Sequence, residues 1–180
     1  IANSTDTMLQ LTIKRLKDIV PIEQVFIITN KQYIDLVKKQ LPRIPKENII
    51  GEPVGRNTAP CIGLASTILK QYEEKAKMFV VPADHLIENV DEFTKVVNAG
   101  LKFVEEKDSI VTLGIVPSHP ETGYGYIQFI EDAYYKAEVN DINIFRVKTF
   151  AEKPTLETAK IFLESGDFLW NVVMFIFRAD

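Results

Sequence analysis

The chain has 180 residues, 46 % hydrophobic and 26 % charged, with a formal net charge of −4. That is the mixture of one ordinary globular domain with a sizeable core, and its acidic balance gives no sign of a basic nucleic-acid face. The longest apolar-rich stretch, FLWNVVMFIF at 168–177, is half of the ~20 residues a membrane span needs, and the single cysteine excludes an intrachain disulfide.

From Ser4 to Val20, Leu9, Ile13, Leu16 and Val20 recur at helical spacing, with Ser4, Thr5 and Asp6 available as caps. QVFIITN (24–30) is a short β-branched apolar run and predicts a buried strand. Tyr33, Ile34, Val37 and Leu41 predict a second helix, ended by Pro42, and NIIGEP (48–53) a second strand. Residues 58–75 predict a third helix, striped by Ile62, Ala65, Leu69 and Tyr72, with Pro60 tolerated in its first turn. Cys61 within it is expected to be a small buried hydrophobe.

The strand MFVV (78–81) follows, then a helix over 91–106 and the strand SIVTLGIV (109–116). This alternation predicts right-handed crossovers and a mostly parallel mixed sheet with helices on both faces. After residue 116 the rhythm changes: GYGYIQFI and NIFRVKTFAEKP read as strands with no helix between them, an antiparallel excursion. A helix at 155–165, capped by Thr155 and stopped by Gly166, precedes the last strand, WNVVMFIF. The expectation is one α/β domain over 1–180, truncated at both ends. With no signal-peptide pattern and one cysteine, a reducing cytoplasmic setting is the default.

In open α/β sheets, ligands collect beyond the carboxyl ends of the strands. Glu52, the pair Asp84-His85 and the loop HPETGYG all lie at such ends. In GEPVGRNTAP (51–60), Glu52 and Asn57 offer the mixed donors and acceptors that a purine edge requires; the plainer alternative is that Asn57 or Thr58 only caps the helix. Asp84 is an oxygen ligand of the kind magnesium takes beside substrate phosphates, or simply a polar strand exit. Gly123 and Gly125 allow close approach of a ligand, or a tight hairpin. Glu152 and Lys153, read as neighbours on a strand, point to opposite faces and suit a sugar phosphate, or are solvated. Asn171 sits among apolar residues, where an amide needs a structural partner or a ligand.

Taken in order, EPVGRNTAP, VPADH, GIVPSHPETGYGYI, FAEKP and WNVVMF resemble the mannose-1-phosphate guanylyltransferases, from about residue 8 to the end. The resemblance implies a Rossmann-like nucleotide-binding α/β domain and a Mg2+-dependent synthesis of GDP-mannose and pyrophosphate from GTP and mannose 1-phosphate. It implies Asp84 as the magnesium ligand, and Glu52, Asn57 and Thr58 as parts of the guanine pocket. It also implies Gly125, Glu152 and Asn171 on the sugar, Lys153 on its phosphate, and His85 as structural. No nucleic-acid or membrane partner is expected, and a homodimer is compatible with it. The family's N-terminal glycine-rich loop is not in these residues, and its second metal-binding aspartate is expected beyond Asp180, so the 180 residues alone are expected to be inactive or nearly so. The family usually has Trp-Asn-Ser-Gly-Met-Phe where this chain has Val172 and Val173 after Asn171. Two alternatives stand beside the enzyme: a degenerate regulatory relative that binds GDP-sugar, and a guanylyltransferase for a different sugar 1-phosphate.

Overall fold

The computed structural model describes residues 5–132 and 136–180; the candidate cap Ser4 lies outside them. They form two compact units. The first runs to Met78 and adds Pro82–Asn98 and Arg178–Asp180; the second holds Phe79–Val81 and Ala99–Phe177.

In the first unit, α1 (Met8–Leu16) starts at Thr7, not at Thr5 or Asp6. Thr7 wins because Gln10 stands three residues on. The Thr7 hydroxyl accepts from the Gln10 N–H and the Gln10 side chain answers the Thr7 N–H, a reciprocal capping box. Strands β1 (Ile27–Asn30) and β2 (Ile49–Glu52) pair in parallel, Ile27 opposite Ile49 and Asn30 opposite Glu52. Helix α2 (Ile34–Gln40) connects them. Val25, Val37, Leu41, Ile44 and Ile49 form a buried cluster, packed by Leu9, Ile13, Ile27 and Ile34; each such aliphatic contributes about 1.5–3 kcal/mol by leaving water. Asn48, buried beside them, satisfies its amide on the Glu23 and Val25 carbonyls at 2.8 and 3.1 Å.

Helix α3 covers Thr58–Leu69, six residues short of the sequence expectation. Beyond Leu69 the apolar stripe fails: Tyr72 is exposed, and 73–75 are charged. Strand β3 (Lys77–Val80) and helix α4 (Val90–Glu106) match their predicted positions.

The second unit is built on β4 (Val111–Ile115), β5 (Gly125–Ile130), β6 (Lys136–Val139), β7 (Ile142–Ala151) and β8 (Phe168–Arg178), with α5 (Leu156–Ser165) before β8. The six-stranded sheet runs β3-β8-β5-β7-β6, with β4 also on β8. Antiparallel pairing joins β5 to β7 and β8, β6 to β7, and β4 to β8. The mixed α/β class is as expected, but the sheet is not mostly parallel. β1–β2 pairs in parallel, whereas β4–β8, β5–β7, β5–β8 and β6–β7 are antiparallel, because β4 pairs with the distant β8 rather than continuing the alternation. The hairpin alternative for ETGYGYI is not formed, because β4 and β5 each pair with β8 rather than with each other. Thr155 caps α5 by accepting from the Thr158 N–H, and Gly166 ends it at φ 78°, a conformation in which glycine carries no Cβ penalty. Phe162 stacks on Phe168 with ring centroids 3.9 Å apart, over a core of Tyr126, Ala159 and Trp170.

Candidate functional site

The candidate residues divide between the units: Glu52, Asn57, Thr58 and Asp84 in the first, Gly125, Glu152, Lys153 and Asn171 in the second. Glu52 ends β2 half-buried, and its charge reaches Cys61. Burial first, then that charge, pushes the Cys61 thiol above its ordinary pKa. Cys61 is thus a protonated, half-buried side chain rather than the fully buried one expected.

Residues 53–60 are exposed, and Asn57 occupies the cap position of α3. Its side chain nevertheless makes no capping bond, and its backbone sits at φ 65°, ψ −167°, a region that essentially only glycine occupies freely. The plain capping reading of Asn57 therefore fails. Its amide makes no hydrogen bond among the described residues, and it stands beside the first N–H groups of α3, which have no partner within the helix.

The stretch PADH leaves β3 as a turn. Asp84 is exposed and carries no hydrogen bond or ion pair among the described residues. His85 is half-buried, with its Nδ1 enclosed and unpartnered. Its carbonyl accepts from Nη1 of Arg15 on α1 at 2.9 Å. Arg15 is 6 % exposed, and burial lowers its pKa.

In the second unit, three candidates converge. Asn171 on β8 lies opposite Gly125 on β5 and Gly114 on β4. A Cβ placed on Gly125 would lie 3.0 Å from Glu152 Oε1 and 3.4 Å from Asn171 Cβ. The missing side chain thus leaves a small cradle between a carboxylate and an amide. Between Thr112–Phe175 and Gly114–Asn171 the register advances two residues on β4 but four on β8, so β8 bulges at this point. Within the bulge Val173 adopts φ 56°, and its N–H donates to Asn171 Oδ1 at 3.0 Å. That bond uses the amide oxygen and leaves Nδ2 as the uncommitted donor. Asn171 is half-buried rather than buried, and its structural partner is this local backbone.

Glu152 and Lys153 lie beyond the end of β7, not on it, so strand alternation does not set their directions. Both are exposed without an ion-pair partner among the described residues, and Lys153 has φ 41°. The loop before β5 is clamped by Tyr126, whose hydroxyl donates to the Glu121 carbonyl at 2.8 Å and accepts from the Glu121 N–H at 3.0 Å. The Gly123 N–H, followed by the His119 ring, holds the Glu121 carboxyl below the usual range. His119 and Tyr124 both meet Trp170 edge-on, at 4.9 and 5.4 Å.

Sequence reasoning missed Arg15, which helical periodicity assigns to solvent because arginine is polar. Its only signal is Thr12, one turn earlier beside the apolar face. The bulge gave no signal, because two valines after Asn171 favour a regular strand rather than a positive φ.

The family profile described as Nucleotidyl transferase matches residues 1–180. A mannose-1-phosphate guanylyltransferase of Salmonella montevideo is 44 % identical over 99 % of this chain and 37 % of its own length. Another, of Escherichia coli (strain K12), is 45 % identical over 96 % of this chain and 36 % of its own. The chain thus spans little more than a third of these relatives. Among solved structures, a Thermus thermophilus protein described as mannose-1-phosphate geranyltransferase superposes with a TM-score of 0.82 at 27 % identity, over 97 % of this chain and 48 % of that one. A Helicobacter pylori mannose-6-phosphate isomerase gives 0.77 at 26 %, over 97 % and 62 %.

Proposed function

The chain belongs to the nucleotidyl transferase family, and from that premise we propose that the protein carrying it makes GDP-mannose and pyrophosphate from GTP and mannose 1-phosphate. What carries the reading is the 44 % identity to a guanylyltransferase across 99 % of this chain. The polar groups left uncommitted by the fold agree with it.

An oxygen of mannose 1-phosphate attacks the α-phosphorus of GTP. The bond from that phosphorus to the α,β-bridging oxygen breaks, and the electron pair leaves with pyrophosphate. Such a transfer needs placed reactants and neutralised charge more than an acid–base pair. Glu52 accepts from the guanine N1–H and 2-amino group, and Asn57, with Thr58 beside it, donates to O6. Glu152 accepts from a mannose hydroxyl, Asn171 Nδ2 donates to another, and Gly125 leaves room for the ring between them. Lys153 faces the sugar phosphate as a point charge.

Asp84 fits magnesium as one exposed, unpaired carboxylate, the usual protein share of a site that substrate phosphates complete. No cluster of three or more His, Cys, Asp or Glu that could hold a metal occurs among the described residues. Bound there, the metal would neutralise phosphate charge. The setting we propose is cytoplasmic, and no described helix is long and apolar enough to cross a membrane.

Asp84→Asn tests this assignment in the protein that carries the chain. The swap keeps the shape and removes the charge, so activity should fall by about 10²–10³ with an unchanged circular-dichroism spectrum. A mutant with wild-type rate and wild-type magnesium dependence would reduce Asp84 to a strand exit.

A further inference from the structure

Arg15 is charged and buried, and no carboxylate pairs with it among the described residues. A buried guanidinium ordinarily meets an acid. This one meets two neutral oxygens instead, the His85 carbonyl at 2.9 Å and Thr12 Oγ1 at 2.8 Å, while its Nε has no partner among the described residues. Thr12 is itself buried and gives its hydroxyl hydrogen to the Met8 carbonyl at 3.0 Å, so its oxygen is free to accept from Arg15. The helix, the threonine and the guanidinium form a directed chain that ends on one backbone atom of the PADH turn.

Stability does not account for this arrangement. Burying a charge against neutral partners costs more than packing an apolar side chain of similar volume in its place. What the guanidinium does achieve is to fix a carbonyl 70 residues away in sequence, one residue after Asp84. The Asp84 side chain has no internal bond of its own to steady it, so its placement depends on the backbone of the turn.

We propose that Arg15 is a positioning residue, which holds the His85 carbonyl and thereby fixes the turn that presents the Asp84 carboxylate to its metal. The proposal rests on the reading of Asp84 given above. Thr12 is the support that orients Arg15.

The test is made in the protein that carries the chain, with Arg15→Met, Arg15→Lys, Thr12→Val and, as the reference, Asp84→Asn. Mn2+ is the probe, added with GTP because substrate phosphates complete the site. Its free concentration is read by electron paramagnetic resonance against GTP alone, and amide hydrogen exchange over 83–87 reports the turn directly. Arg15→Met should fold with an unlowered melting temperature and bind Mn2+ about tenfold more weakly, the scale of lost outer-shell support. Exchange over the turn should quicken, and kcat should drop roughly ten- to a hundredfold, as for an ångström of misplacement, with an unchanged KM for GTP. Arg15→Lys, which keeps one donor for the carbonyl, should recover part of each loss.

Wild-type Mn2+ affinity in a folded Arg15→Met protein overturns the proposal. If that variant does not fold, Thr12→Val decides: weakened Mn2+ binding supports the proposal, and wild-type binding overturns it. Mn2+ binding lost in Asp84→Asn but intact in Arg15→Met would overturn the role of Arg15 alone. Mn2+ binding unchanged in Asp84→Asn would overturn the metal assignment and this proposal with it.

Discussion

At Val173 a β-branched side chain is held at φ 56°, where an L-residue pays about 1–2 kcal/mol. Five described non-glycine residues have positive φ. Asn140 and Asp141 are the two central residues between β6 and β7, where a tight hairpin turn requires that geometry. The other three, Asn57, Lys153 and Val173, fall on or beside candidate ligand contacts. Strain gathered there and not elsewhere fits loops shaped for a ligand. Replacing Val173 with glycine removes the steric penalty but gives back some of it as unfolded-state entropy, ~0.4–1 kcal/mol. Val173→Gly should therefore raise stability by about 0.5–1 kcal/mol, visible as a higher urea midpoint. A lower midpoint would mean that the packing of the valine outweighs its backbone.

The elements show what a sequence reveals and what it does not. Short apolar runs bounded by polar residues located β1, β2, β3, β5, β7 and β8, because a strand that packs on the core must bury part of its length. Thr155 and Gly166 marked both ends of α5, because capping chemistry is local. Strand direction is not local. β4 looks like one more βαβ strand, and only its partner β8, more than fifty residues later in the chain, makes it antiparallel. KAEV, now β6, carries no apolar run and gave no signal. One joint depends on a carboxylate. Asp167, at the start of β8, accepts from Gln128 Nε2 of β5 at 2.6 Å and from Ser165 Oγ at 2.7 Å, and its carbonyl takes the Phe129 N–H at 3.0 Å. The Gln128 bond, then that of Ser165, holds the carboxyl below its ordinary pKa. A pKa depressed in the folded state adds stability above the unfolded-state value and loses it as the pH falls through the folded one. Asp167→Ala should cost about 1 kcal/mol at pH 7 and progressively less below the usual carboxylate range. Urea midpoints of mutant and wild type at pH 7 and pH 3 measure this, and a gap that stays constant with pH would contradict it.

At the scale of the whole molecule, the candidate site was legible as an ordered series of short stretches, since side chains that meet a ligand must be written in the sequence. Gly125, Glu152 and Asn171 do meet in the structure. Arg15 was not legible, because it acts through a backbone carbonyl that no residue type encodes. Nor was the conformation of Asn57, which disqualifies it as an ordinary cap. With a net charge of −4, the phosphate binding proposed for this protein would fall to a few placed cations, Lys153 the proposed one, rather than to a basic surface. Guanylyl transfer to mannose 1-phosphate is read out most directly by pyrophosphate release from the protein carrying this chain. GTP, ATP, UTP and dTTP should each be offered with mannose 1-phosphate and with other sugar 1-phosphates. Polar groups left unpaired against the wrong base cost ~1–3 kcal/mol each, so GTP with mannose 1-phosphate should be turned over fastest and ATP should be discriminated against. Equal use of ATP and GTP, or no release with mannose 1-phosphate, would contradict the account.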